Sequence, residues 1–234
     1  MSSNTYNIDF NNSLKRFGEG FSAQYGVILK LKKIRLGATY DSPQWLTIMD
    51  ETEQSVRATH YDYENGSIVN EQISPNVTNV YDQYEFKIPA IKTLSFAYIF
   101  GTKGVLSMDY SNQNVANTKL SQENGSDYLK GLNSDINTTF DAINTLRVGG
   151  EYRLKDISLR AGFVNRNNTL KNNLSNDQAI TLGLGLDFGS SSLNLSFVQF
   201  NQNKEFKLYS EGLTDSFKLS NNATQVSISY NLKL

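Results

Sequence analysis

The sequence predicts an all-β protein, an antiparallel transmembrane β-barrel, from three observations. Between Leu31 and Leu234, stretches of about ten residues recur in which every second side chain is apolar. The stretches form hairpins with very short turns at one end and long polar loops at the other. Tilted strands of about 9 to 11 residues with one apolar face are what a bilayer core requires. The pattern therefore predicts strands whose apolar face meets lipid.

The stretch from Gln178 to Phe188 shows the alternation most clearly. Leu182 and Leu184 fall on one face with the other large apolar residues, whereas Gly183 and Gly185 fall on the opposite face. Successive side chains of a strand point to opposite sides of its sheet. We therefore assign the leucine face to lipid and the glycine face to the lumen.

The same period predicts about nine strands. Pro89 interrupts the third strand, because proline cannot donate a hydrogen bond to a neighbouring strand. The last strand ends at the chain terminus, where it carries the apolar residue Leu234. The apolar positions that define the nine strands lie within residues 21–31, 34–40, 84–100, 106–110, 146–154, 157–163, 180–188, 193–197 and 226–234.

Turn length predicts the orientation of the strands. Short turns lie at Lys32-Lys33, Gly101–Gly104, Lys155-Asp156 and Gly189–Ser191. Short turns of outer-membrane barrels lie on the periplasmic side and long loops on the outside. We therefore expect the polar segments 42–80 and 112–144, among others, to face outward.

The odd strand count leaves two alternatives, since an all-antiparallel barrel closes only with an even number of strands. Tyr6, Ile8 and Phe10 also alternate, and they would supply a tenth strand of a small barrel. Alternatively, the chain is the carboxyl-terminal part of a larger barrel. We favour the second alternative because the start of the sequence lacks the basic and apolar regions of a signal peptide. We expect one incomplete barrel domain over 1–234, with 1–17 an outward loop segment and 18–234 the barrel strands and loops.

Composition argues against several other classes of function. The formal net charge is −1 and no basic cluster exists, so nucleic acid is not an expected partner. Cysteine is absent, which removes disulfides, thiolate nucleophiles and most zinc sites. His60, the only histidine, lies in a polar segment without a catalytic motif. We expect no enzyme activity, no metal and no cofactor.

The predicted lumen face carries the charged residues of the strands. Arg147, Arg160 and Arg35 are candidates for pairing with the carboxylate of a ligand, because guanidinium groups bind carboxylates with two hydrogen bonds. The alternative is structural: Arg147 and Arg160 join Glu151 and Arg153 in a charge network that braces adjacent strands. The sequence leaves both interpretations open. Lys92 departs from the pattern, because it shares the predicted lipid face of its strand. Two explanations are open: its stem extends from the outer end of the strand to the membrane interface, or the phase of the strand shifts after Pro89.

The polar loops contain two apolar segments. The first holds Trp45, Leu46 and Ile48, and we interpret it as part of a capture surface for hydrophobic ligand. The alternative for Trp45 is the aromatic belt at the membrane interface. The second segment shows apolar spacings of three and four, which predict a short amphipathic helix. Its apolar residues are Tyr128, Leu129, Leu132, Ile136 and Phe140.

Four runs of the sequence resemble a known family: GFSAQYGVILKLKKIRLGATYDSP, IPAIKTLSFAYIFGTKGVLSMDYS, TLRVGGEYRLKDISLRAGFVN and DQAITLGLGLDFGSSSLNLSFVQF. They are similar to the later strands of the FadL/OmpP1/TodX family of outer-membrane transporters, particularly its Bacteroidetes forms. The resemblance extends from about Phe17 to Leu234. It implies the last nine strands of a fourteen-stranded barrel, without counterparts for the amino-terminal hatch and the first five strands.

The resemblance also implies a function. Such proteins take up long-chain fatty acids or other hydrophobic compounds across the bacterial outer membrane. The expected partners are outer-membrane lipid, a hydrophobic small molecule such as a long-chain fatty acid, and the barrel-assembly machinery, whose signal the last strand resembles. The alternative is a structural or adhesive outer-membrane barrel without transport activity.

Overall fold

A computed structural model of the chain describes residues 5–62, 64–73, 77–171, 176–207 and 216–232. The described part is built almost entirely of β-strands, with one α-helix and one short 3₁₀ turn at Val115–Asn117. The strands are β1 Thr5–Phe21, β2 Gln24–Leu31, β3 Ile34–Asp41, β4 Gln44–Asp62, β5 Ser67–Ile73, β6 Thr78–Val80, β7 Tyr84–Ile88, β8 Ile91–Ile99, β9 Gly104–Asn114, β10 Lys119–Ser121, β11 Ala142–Leu154, β12 Ile157–Asn167, β13 Asn176–Asp187, β14 Ser191–Lys207 and β15 Ser216–Leu232, and the helix α1 is Asp127–Thr139.

The chain divides into two compact units, which are described separately. The first contains residues 1–21, 45–87 and 119–130, and the second contains 22–44, 88–118 and 131–234. The second unit is a nine-stranded sheet in the order β15-β14-β13-β12-β11-β9-β8-β3-β2. Each pair of neighbours is antiparallel. This confirms the prediction of about nine antiparallel strands.

Cross-strand register confirms the two faces of the nine-stranded sheet. Leu184 of β13 lies between Leu159 of β12 and Leu195 of β14. Gly183, one residue earlier, lies between Arg160 and Ser196. Because neighbours in register share a face, the large apolar side chains of adjacent strands form continuous rows. Many of these apolar side chains are exposed, including Leu182 at 52%.

The four short turns reverse the chain through residues with positive φ. Lys32 has φ 37° and Lys155 has φ 54°, while Gly101 and Gly189 have φ 63° and 83°. The turns at Lys32 and Lys155 are two-residue hairpins, which favour such left-handed conformations because their twist matches that of the flanking strands. In the two longer turns a glycine takes the left-handed conformation, which is favourable without a side chain. The predicted turns are therefore confirmed at all four positions.

The predicted membrane orientation can be tested with single cysteines at the two ends of the strands. In intact cells, Ser190→Cys should be protected from an impermeant thiol reagent, because Ser190 lies in a short turn that we place on the periplasmic side. Asn124→Cys should be labelled, because Asn124 lies in a loop that we place outside. Gel-shift labelling before and after cell lysis measures both. Labelling of Ser190→Cys with protection of Asn124→Cys would invert the orientation.

The first unit corrects the loop predictions. Strand β1 extends over 17 residues and pairs with β4 from Thr5 opposite His60 to Phe21 opposite Trp45. Residues 1–17 were predicted as an outward loop, but the described part of that segment belongs to β1. The alternation of Ile8 and Phe10 does mark a strand, yet its partner is β4 and not the nine-stranded sheet. Backbone pairing needs no apolar face, so polar segments form strands without showing the two-residue period.

Several short strands complete the first unit. Its sheet has the order β1-β4-β7-β10, and β5 and β6 also pair with β4. The sequence predicted one strand interrupted at Pro89, whereas the structure has two strands, β7 before the proline and β8 after it, in different sheets. The described chain divides into two compact units, and the single incomplete barrel domain stays a prediction.

Helix α1 confirms the predicted amphipathic segment. Leu129 N donates a hydrogen bond to Ser126 Oγ at 3.3 Å, which satisfies one amide of the first turn. Phe140, just after the helix, makes an isolated bridge to Leu170. No helix of the described residues is long and apolar enough to cross a membrane.

Candidate functional site

Small side chains dominate a row across the lumen face of the nine-stranded sheet. The row joins positions directly opposite one another on six adjacent strands, and its residues are Ala97, Ser107, Gly149, Gly162, Thr181 and Val198. Arg147 and Glu151 lie on either side of this row, each two positions from Gly149 along β11. A two-residue step along a strand is about 6.6 Å. The lumen face therefore has a row of small side chains between two rows that contain charged side chains.

Arg160 belongs to a network of charged and polar groups. Its Nε donates a hydrogen bond to Glu151 Oε2 at 2.8 Å, and its Nη1 donates to Asn194 Oδ1 at 3.1 Å. Glu151 Oε1 accepts a second hydrogen bond, from Arg153 Nε at 2.5 Å. The structural interpretation is thus confirmed for Glu151, Arg153 and Arg160. These groups connect β11, β12 and β14 across the lumen face.

The glycines of β13 provide the space that Arg160 occupies. A methyl group built at Gly183 would lie 3.2 Å from Arg160 Cβ, and one built at Gly185 would lie 3.1 Å from Arg160 Nη1 and 3.0 Å from Asn194 Oδ1. The arginine side chain therefore lies across β13 to reach β14. Sequence reasoning missed this role, because alternation assigns a glycine to a face but does not identify the side chain beside it.

Arg147 stands outside that network. Its Nη1 donates one long hydrogen bond to Ser111 Oγ, at 3.4 Å. Asp109 lies directly opposite in register on β9, yet among the described residues no carboxylate lies within ion-pair distance of Arg147. The side chain is exposed. Of the three predicted site arginines, Arg147 makes the fewest and longest hydrogen bonds to other protein groups.

Arg35 is hydrogen-bonded to the backbone of the short turn between β2 and β3. Its Nη1 donates hydrogen bonds to Lys32 O at 3.1 Å and to Ile34 O at 3.0 Å. These contacts hold the short turn between β2 and β3, where Lys32 adopts a positive φ. A ligand role for Arg35 stays a prediction, and its observed contacts are structural.

Trp45, Leu46 and Ile48 lie in the first unit, at the beginning of β4. Strand geometry places Trp45 on one face and Leu46 and Ile48 on the other. Ile48 is 8% exposed, and a methyl group built at Gly20 would clash with Leu46, so these two side chains pack over β1. Trp45 is 46% exposed, and Lys87 Nζ lies 5.8 Å from its ring centroid. The three side chains do not share one surface.

A hydrogen-bonded ion pair also occurs in the first unit. Arg16 donates two hydrogen bonds to Asp50, from Nε at 2.7 Å and from Nη2 at 2.9 Å, and Tyr84 Oη donates a third at 3.3 Å. The hydrogen bond from Arg16 lowers the pKa of Asp50. This contribution to stability is therefore present above the ordinary carboxyl pKa and is lost as pH falls through the lowered value. The Arg16 side chain is 55% exposed, so the contribution is small.

Described residues of the second unit line an apolar depression and a polar cleft. An open apolar depression of about 1040 Å³ is lined mainly by the lipid-facing side chains, including Leu159, Leu182 and Phe197, so it is not a lumen site. A polar cleft of about 420 Å³ is lined by residues of β12, β13 and β14 and of the segment after β12. Sequence reasoning missed this cleft, although alternation along β12 places Arg166 on the same face as Arg160. Its lining residues are Arg166, Asn167, Asn168, Thr169, Leu170, Asp177, Gln202 and Lys204.

The strand order, the register and the exposed apolar face define the class of protein: an all-β chain whose nine-stranded antiparallel sheet carries the continuous apolar face that the wall of a transmembrane β-barrel requires. Similar solved structures include the CymD monoaromatic hydrocarbon channel, with 13% identity and a TM-score of 0.48 over 92% of this chain and 51% of that chain. The toluene transporter TodX of Pseudomonas putida has 16% identity and a TM-score of 0.48 over 92% of this chain and 50% of that chain.

The chain thus spans about half the length of those two proteins. A second TodX structure has 14% identity and a TM-score of 0.38 over 96% of this chain and 70% of that chain. No protein-family model matches the chain, and no curated protein matches it.

Proposed function

We propose that this chain is the wall of an outer-membrane channel of the FadL/OmpP1/TodX family that takes up hydrophobic compounds. The observation that carries the proposal is the contrast between the two faces of the nine-stranded sheet. One face has rows of large apolar side chains, and the other has a row of small side chains between two charged levels. The first suits contact with lipid, and the second leaves room for a guest molecule next to the backbone.

The finer part of the proposal is a long-chain fatty acid as ligand, with its carboxylate at Arg147. Arg147 is exposed on the lumen face and makes a single long hydrogen bond, whereas Arg160 is already bound to Glu151 and Asn194. A carboxylate would supply the acceptor that Arg147 lacks. The acyl chain would then lie along the small side chains, of which Gly149 and Gly162 are nearest in register to Arg147.

Binding measurements on the protein that carries this chain test the assignment of Arg147. In detergent, Arg147→Gln should weaken the binding of a long-chain fatty acid by roughly ten- to a hundredfold, because a charge-assisted hydrogen-bonded pair contributes about 1.5 to 3 kcal/mol. The corresponding long-chain alcohol should bind the variant and the parent protein equally well. Displacement of a fluorescent fatty acid gives both affinities.

Arg160→Gln is the matched control, because it removes the same charge from the same face. We expect Arg160→Gln to weaken the charge network between strands without changing the affinity for the acid relative to that for the alcohol. Equal losses for acid and alcohol in Arg147→Gln would leave the apolar tail as the recognised part. A selective loss of the acid in Arg160→Gln alone would move the carboxylate site to Arg160.

Transport by the whole protein has a separate test. Uptake of a labelled long-chain fatty acid and of labelled toluene should both depend on the presence of the protein in the outer membrane of a host strain. Uptake of neither compound would remove the transport proposal and leave a structural barrel. Uptake of toluene alone would keep the channel and remove the fatty acid.

A further inference from the structure

Lys92 is a cation on the lipid-facing side of the nine-stranded sheet. It shares a face with Leu94 and Phe96 of β8, and it lies directly opposite Tyr40 of β3 and Asn112 of β9. Register is continuous with β3 from Ile91 to Tyr98 and with β9 from Ile91 to Ile99. A phase shift after Pro89 is therefore excluded as the explanation of Lys92. The lysine projects from the apolar face itself.

The row that contains Lys92 marks the edge of the apolar band. On β2 and β3 this row consists of Tyr25 and Tyr40, which are 66% and 40% exposed. On β9 and β11 it consists of Asn112 and Asn144, where Asn112 Nδ2 donates to Asn144 Oδ1 at 2.7 Å. Tyrosine side chains are enriched where a protein leaves the hydrocarbon core. The row therefore lies at the level of the lipid headgroups.

No protein group neutralises Lys92 within the described chain. Its ammonium makes no ion pair and no side-chain hydrogen bond there, and the side chain is exposed. The residues in register beside it, Tyr40 and Asn112, carry no negative charge. A charged side chain on the membrane-facing side is unfavourable unless its head reaches the interface and finds a partner. At this level the available anion is a lipid headgroup.

We propose that Lys92, together with Tyr40 and Asn112, binds the phosphate of an anionic membrane lipid. The lysine ammonium supplies the charge, and the tyrosine hydroxyl and the second N–H of the Asn112 amide supply neutral donors. The acyl chains of the same lipid lie against Ala38, Leu94 and the rows beyond, which continue the apolar face away from the headgroup level. This site requires the membrane-spanning sheet, but it does not require any transported ligand.

Native mass spectrometry of the detergent-solubilised protein that carries this chain tests the site with two lipids. Phosphatidic acid is the probe, and diacylglycerol with the same acyl chains is its uncharged counterpart. Lys92→Gln should lower the affinity for phosphatidic acid about fivefold, the effect expected for one basic residue at an anionic membrane surface. Lys92→Arg should retain the affinity, and diacylglycerol should bind all variants alike.

Lys30→Gln is the matched control, because it removes the same charge from the lumen face of β2. It should leave the affinity for phosphatidic acid unchanged. Equal losses in Lys30→Gln and Lys92→Gln would show a net-charge effect and overturn the proposal. An unchanged affinity in Lys92→Gln, or an equal loss for diacylglycerol, would overturn it as well.

Discussion

Replacement of Leu184 by arginine is expected to block folding of this sheet into lipid. Leu184 lies midway along the apolar stretch of β13, and it is in register with Leu159 and Leu195 on the two neighbouring strands. A basic residue on the lipid face near the bilayer midplane costs about 2 to 4 kcal/mol. Folding into vesicles, followed by the mobility difference between unheated and heated samples in gel electrophoresis, should show little folded Leu184→Arg.

Ser196→Arg is the control for that experiment. Ser196 lies on the lumen face of β14, opposite Gly183, and its side chain is exposed. Arginine there should be tolerated, because the lumen side is not in contact with lipid. Gly183→Arg would be a poor control, since Arg160 already occupies the space beside Gly183. Equal folding yields for Leu184→Arg and Ser196→Arg would contradict the assignment of the two faces.

Gly185→Val is expected to destabilise the protein through Arg160. A Cβ atom at Gly185 would lie 3.0 Å from Asn194 Oδ1, 3.1 Å from Arg160 Nη1 and 3.3 Å from Ser158 Cβ. Forcing extra methyl groups into occupied space costs about 1 to 3 kcal/mol. The displaced guanidinium would also lose its hydrogen bond to Asn194. Urea titration of the folded protein in vesicles measures the loss in the free energy of unfolding.

A double-variant comparison separates this effect from a general penalty on strand glycines. When Arg160→Ala is already present, Gly185→Val should cost less, because the contact with the guanidinium and its hydrogen bond to Asn194 are already gone, while the contacts with Asn194 and Ser158 remain. Gly149→Ala is the matched control, since its Cβ would meet only Ala161 O, at the ordinary distance of 3.7 Å. An undiminished cost of Gly185→Val in the Arg160→Ala background would show that the arginine does not use this space.

The membrane-facing strands could be predicted from sequence because lipid contact imposes a period of two on side-chain polarity. Leu182, Leu184 and Leu186 carry that signal without regard to their neighbours. The strands of the first unit have no such requirement. Between β1 and β4, Arg16 forms an ion pair with Asp50 directly opposite, and Lys15 forms a diagonal ion pair with Glu53. Polar pairs therefore take positions where an apolar side chain would have revealed the strand. The chain there forms strands that the sequence pattern does not distinguish from loop.

The candidate site was predictable only to the level of a face. Alternation placed Arg147, Glu151, Arg153 and Arg160 together on the lumen side, and it left open which of them pair. Register decided this, because Glu151 lies directly opposite Arg160, whereas Arg147 lies opposite Val164 and Asp109. A shift of two residues between β11 and β12 would preserve every face but place Arg160 opposite Gly149 or Arg153 and no longer opposite Glu151. Register depends on the turn at Lys155 and on packing along the whole hairpin.

The strand count of the nine-stranded sheet restricts how its two edges can be joined. Directions alternate from strand to strand, so β2 and β15, the first and the ninth, point the same way. Direct pairing of β2 with β15 would make a parallel seam in an otherwise antiparallel wall. If two copies in the same membrane orientation closed a wall together, β2 of each copy would pair with β15 of the other. That wall would contain two parallel seams. A closed, wholly antiparallel wall that includes this sheet therefore requires an odd number of additional strands between β15 and β2.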